Sequence, residues 1–115
     1  MATIASTKTD TGPYYKVYQW TPLTEADVCA PLKLERAVVS MSFQVAGTFG
    51  SATAKLQGSN DATNYADMKD LNGTAISLTA AGMSSAGVLP LWVKPVASGG
   101  TSQSLTITLR VDFDK

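Results

Sequence analysis

Two stretches of this chain alternate between apolar and polar residues with a period of two. In residues 37–46, Val39, Met41, Phe43 and Val45 fall on one side and Ser40, Ser42 and Gln44 on the other. In residues 104–113, Leu105, Ile107, Leu109, Val111 and Phe113 alternate with Thr106, Thr108, Arg110 and Asp112. Successive side chains of a strand point to opposite faces, so this period predicts two strands, each with one face buried and one face wet. No segment keeps a helical period beyond a turn or two. Strands with one apolar face need a second layer to cover them, which predicts a sandwich or a closed barrel.

The remaining segments are short and divided by turn residues. Residues 14–20 are dense in aromatic and β-branched side chains and read as a strand. Residues 28–34 contain Pro31, which lacks the amide that a ladder needs, so a strand there is short, edge-lying or broken. Gly47 and Gly50 flank a turn, so residues 37–46 and 52–57 are expected to form a hairpin. Residues 58–64 are a loop in which Asn60, Asp61 and Asn64 form the turn, and Asn72-Gly73 form the next one. Residues 79–87 are expected to be a loop. The fold expected is all-β: a single antiparallel β-sandwich or jelly-roll-like barrel over residues 13–115. An extended N-terminal arm over residues 1–12 precedes it, Thr/Ser-rich with Ile4 as an isolated apolar residue, expected to order only against a neighbour.

The residue types present argue against chemistry. There is no histidine, so the commonest general base and metal ligand is missing. Cys29 is the single cysteine, and a small buried hydrophobe is the expected role for it. Asn60, Asp61, Asn64 and Asp67 offer oxygen ligands, but the calcium-loop spacing is absent. No catalytic residue, cofactor site or metal site is expected. Nine Lys/Arg balance nine Asp/Glu, which leaves no electrostatic footprint for a nucleic acid, and no apolar run approaches the length of a membrane span. The N-terminus has no apolar signal region, so a cytoplasm-like compartment is expected. Charged residues are only 16% of the chain, their place taken by Ser, Thr, Ala, Gly and Asn. Such a surface loses little hydration energy when it docks. The candidate interface residues are Tyr14, Tyr15, Tyr18 and Trp20, because Tyr and Trp combine a large contact area with a polar tip, together with Ile4 in the arm.

The run Leu56-Gln57-Gly58-Ser59-Asn60-Asp61-Ala62-Thr63-Asn64-Tyr65, then Met68-Lys69-Asp70-Leu71-Asn72-Gly73 and Thr79-Ala80-Ala81-Gly82, resembles a pattern of small tailed-phage virion proteins, the capsid decoration or cement proteins. Leu91-Trp92-Val93-Lys94-Pro95-Val96 with Ser98-Gly99-Gly100 is similar to a downstream segment of that family. The resemblance covers residues 50–113. It departs from the family at Tyr65, where tryptophan is usual, and at Ala62, where glycine is usual. From Ala62 the expectation is a loop without a positive φ at that position. The resemblance implies a non-enzymatic virion protein on the outer capsid surface, made in the host cytoplasm. Its partners would be the major capsid protein and further copies of itself, a trimer before a dimer. The alternative is a tail- or fibre-associated module that recognises a glycan or a host receptor.

Overall fold

A computed structural model describes residues 3–24, 27–34 and 37–114 of the chain. Its strands are β1 (Thr3–Ile4), β2 (Thr7–Thr11), β3 (Tyr15–Thr24), β4 (Val28–Cys29), β5 (Leu32–Lys33), β6 (Val38–Thr48), β7 (Thr53–Ser59), β8 (Ala66–Asp67), β9 (Ser77–Leu78), β10 (Gly82–Ser85), β11 (Trp92–Ser98) and β12 (Ser104–Phe113). One sheet has the order β10-β6-β12-β3-β2. The other has the order β5-β11-β7-β8, with β9 also pairing β7. A short parallel pair, β1 with β4, belongs to neither ladder but packs against β3 and β11. The pairs β3·β12 and β6·β10 in one sheet and β5·β11 and β7·β8 in the other give the jelly-roll arrangement of an antiparallel sandwich. The two inner faces supply the core, with Trp20, Phe43, Leu56, Val93, Ile107 and Leu109 fully buried.

Several local expectations are corrected. Residues 37–46 and 52–57 do not form a hairpin: β6 pairs with β12 and β10, whereas β7 lies in the other sheet beside β11. Two glycines turn the chain from one layer to the other. Gly47 has φ +110° and Gly50 φ +55°, and a Cβ on Gly50 would stand 2.0 Å from the Thr101 carbonyl oxygen. An alternating strand next to a glycine turn looks the same whether its successor pairs with it or crosses to the opposite layer, so the pattern alone cannot separate the two.

Val39 does not share the inward face of Met41, Phe43 and Val45. The register of β6 against β12 shifts between the pairs Asp112↔Ser40 and Phe113↔Val38, which leaves Val39 as the extra residue of a bulge, 55% exposed. Residues 82–85, expected as loop, form the edge strand β10 against β6. Pro31 does break the segment around it, into the two-residue strands β4 and β5.

The arm expected over residues 1–12 is paired within the chain from Thr7 to Thr11. Every side chain of β2 is exposed, and the strand is held by main-chain bonds to the edge of β3. This is why hydropathy did not reveal it. The edge itself is charged and bulged: the register slips between Lys8 and Asp10, a device that discourages further strand addition. Met1 and Ala2 lie outside the described residues.

Candidate functional site

The five candidate interface residues do not form one surface. Trp20 is in the core rather than on a face: it is fully buried, and its indole Nε1–H donates to the Ala30 carbonyl at 3.0 Å. The Ala30 amide in turn donates to the Ile4 carbonyl at 2.8 Å, and Ile4 and Tyr18 pack against the core. Tyr15 is half-buried on the outer face of the first sheet, its hydroxyl 3.2 Å from Asp10 Oδ2 and the Arg110 guanidinium 4.8 Å from its ring centre. Tyr14 alone of the five is clearly exposed. The aromatic density of residues 14–20 thus mixes core and surface positions on one strand.

Of the five, Tyr14 alone joins the exposed apolar surface, whose other members lie elsewhere in the chain. Tyr14, Val39, Leu71, Val88, Leu89 and Leu91 are exposed to between 40% (Leu89, Leu91) and 74% (Leu71). Backbone bonds and shared grooves bring Tyr14, Val39, Leu71, Leu89 and Leu91 to one end of the sandwich. The Phe113 amide donates to Tyr14 O at 2.7 Å, and the Asp114 amide to Ala37 O at 2.9 Å, so the start of β3, the start of β6 and the end of β12 meet there. Leu89 and Leu91 line a shallow groove of about 290 Å³ with Leu34, Ala37 and Val38. Next to it, Val39 and Leu71 line a groove of about 330 Å³ with Ala86. The charges bordering that groove are the ion pair Arg110–Asp112, closed at 3.0 Å. A cluster of exposed apolar side chains at one end of a small domain is the usual mark of a protein contact.

The broad outer face of the first sheet is polar but already bonded to itself. Gln19 Nε2 donates to Thr108 Oγ1 at 3.3 Å, the Thr21 and Thr106 hydroxyls lie 2.8 Å apart, and Ser40 Oγ donates to Asp112 at 2.8 Å. Groups partnered in this way lose little when water leaves them.

The loop after β7 is organised by two side chains. Ser59 Oγ accepts from the amides of Asp61 and Ala62 at 3.2 and 3.0 Å. The Asp61 carboxylate accepts from the Asn64 amide at 2.8 Å, the Asn64 side chain at 2.9 Å, the Thr63 amide at 2.9 Å and the Ser59 hydroxyl at 2.8 Å. Asn60 Oδ1 accepts from the Leu91 amide at 3.0 Å, which ties the loop to the apolar end. In the following turn, Asp70 Oδ1 accepts from the Asn72 and Thr74 amides, and Gly73 has φ +82°.

Two predictions arise from this loop. Contrary to the sequence expectation, Ala62 has φ +64°, in the left-handed region where a Cβ is disfavoured. Ala62→Gly is therefore expected to raise stability by about 0.5–1 kcal/mol in a denaturant melt. The hydrogen bonds to Asp61, those from Asn64 first, hold its carboxyl well below the ordinary carboxylate value of 3.8. Its contribution is present above the unfolded-state pKa and disappears as pH falls through the lower folded value. The stability gap between the parent and Asp61→Ala should thus be full at neutral pH and shrink steadily below about pH 4.

Cys29 is buried, and burial pushes its thiol up to about 12, so at neutral pH it is a thiol with little nucleophilic character. Among the described residues, no group of three or more Cys, Asp or Glu side chains is arranged to hold a metal ion.

No protein-family model matches the chain, and no curated protein is similar to it in sequence. Solved structures with a similar shape include a cupin superfamily protein from Desulfitobacterium hafniense, with TM-score 0.47, 8% identity and coverage of 95% of this chain and 76% of that one. A cupin domain from Bordetella pertussis has TM-score 0.44 and 10% identity, covering 93% of this chain and 91% of that one. KdgF from Halomonas sp. has TM-score 0.43 and 14% identity, covering 95% of this chain and 80% of that one. All three scores lie below 0.5, and they lend nothing to a reading of activity.

Proposed function

We propose that this protein is a non-enzymatic structural protein that docks on the outer surface of a phage capsid and stabilises the coat lattice, as a decoration or cement protein does. The observation that carries the docking surface is the gathering of the exposed Val39, Leu71, Leu89 and Leu91 in two neighbouring grooves at one end of the sandwich, with Tyr14 bonded to Phe113 beside them. The capsid as partner is suggested by the resemblance of residues 50–113 to decoration proteins. Binding of this kind needs contact area and low desolvation cost, and the apolar end supplies the first while the self-bonded polar sheet face supplies the second. The major capsid protein is the partner, with copies clustering around a symmetry axis as a trimer before a dimer.

The mechanism is mass action. A protein that binds only the assembled lattice lowers its free energy relative to dissociated coat subunits, and many copies acting together multiply the effect. The test is heat: particles carrying the protein should keep their DNA to a higher temperature than particles made without it. Identical release temperatures would remove the stabilising role.

A further inference from the structure

The outer face of the second sheet carries a separate arrangement. Trp92 and Lys94 are two residues apart on β11 and flank Val93, whose side chain is fully buried, so both point outward. Lys33 of β5 is directly opposite Trp92, and its ammonium lies 6.0 Å from the Trp92 ring centre. The Lys94 ammonium lies 4.4 Å from the centre of the Tyr65 ring. Among the described residues neither ammonium sits in an ion pair. Lys55, on the same face, is held at 3.6 Å by Asp67, which also accepts from Gln57. Asp27 lines a groove with Lys94, and its carboxylate accepts from the Thr24 amide at 2.9 Å. Two ring-backed cations therefore face outward on one side of this sheet.

We infer that this face binds an extended acidic segment of a partner protein through Lys33 and Lys94. An aromatic ring beneath an ammonium holds it in place without neutralising it, so a carboxylate can bind from the open side while the cation–π contact is kept. Lys33 stands on β5 opposite Trp92 and Lys94 lies two residues further along β11, so the two cations are carried by neighbouring strands on one face of the sheet. An extended peptide lying across this face, with carboxylates along one of its own faces, can offer one to each cation. A neutral sugar stacking on the rings fits less well, because the ring faces of Tyr65 and Trp92 are occupied by their own lysines. This inference is independent of the apolar end: either surface can fail without the other.

The test is a titration of the full chain with a synthetic (Glu-Thr)6 peptide, followed by calorimetry at about 0.02 M and about 0.3 M salt. Binding is expected at low salt, weakening by about tenfold or more at the higher salt and likewise in K33Q/K94Q. K33R/K94R, which keeps charge and stacking, should restore it, and (Lys-Thr)6 should not bind. Should K33Q/K94Q melt earlier than the parent, Lys33→Gln alone, on the short edge strand β5, is expected to show a smaller loss. An unchanged affinity in a variant that melts like the parent would overturn the inference, as would no binding at low salt. Tighter binding of polygalacturonate than of the peptide, through the same lysines, would also overturn it and assign the face to an acidic glycan.

Discussion

Replacing Trp20 by Ala is expected to lower the unfolding free energy by about 3–5 kcal/mol. The side chain is fully buried, so its removal leaves a large cavity between the sheets. It also removes the donor to the Ala30 carbonyl, and Ala30 is the residue whose amide binds Ile4. Trp20→Phe separates the two contributions. It keeps most of the volume but leaves the Ala30 carbonyl without its donor, at a cost of about 1–3 kcal/mol. Tyr14→Ala is the contrast: at an exposed position the change should stay within about 0.5 kcal/mol. Urea unfolding of the three variants checks the set. Equal, small losses at Trp20 and Tyr14 would mean that Trp20 is a surface residue after all.

The largest effect on binding is expected from Leu71→Asp combined with Leu89→Asp. Each would place a carboxylate in the proposed contact, from which water has to leave. A central contact residue is worth roughly 2 kcal/mol or more, so the pair should weaken particle binding by at least about a hundredfold. Both residues are exposed in the free chain, so the melt should stay close to that of the parent. Met83→Asp is the control: Met83 is 63% exposed but sits opposite Gln44 in mid-strand, away from the apolar end, and its substitution should leave binding nearly unchanged. Equal losses from Met83→Asp and from the double variant would show that general surface polarity, rather than the apolar end, governs docking.

The layered all-β architecture was legible because period-two alternation follows directly from the geometry of a strand with one buried face, as in β12, where Leu105 to Phe113 face inward at every second position. What alternation does not encode is the partner of each strand. β6 and β7 are both alternating, and only the backbone angles at Gly47 and Gly50 decide that they belong to opposite layers. A bulge is equally silent: Val39 fits the inward series by spacing, and one inserted residue turns it outward. That inversion hid part of the apolar end. Leu71, Leu89 and Leu91 carry no surface signal in the sequence because they flank turns and prolines, where a single leucine reads as ordinary strand filling. Trp20 is the converse case: an aromatic-rich strand points to a surface, whereas a large ring with one donor also fits a core position that offers a carbonyl. The left-handed angle at Ala62 was invisible because alanine gives no hint of it, although the glycine usual at that position in the resembling family did.

The central claim is that the chain acts by stoichiometric docking on a repeating lattice, and the most direct measurement is its copy number in purified virions, by quantitative mass spectrometry against the major capsid protein. A lattice decoration protein should be present in hundreds of copies, in a fixed ratio to the coat subunit, and the Leu71→Asp, Leu89→Asp form should fall to a small fraction of that ratio. A handful of copies per particle, or none, would contradict the account.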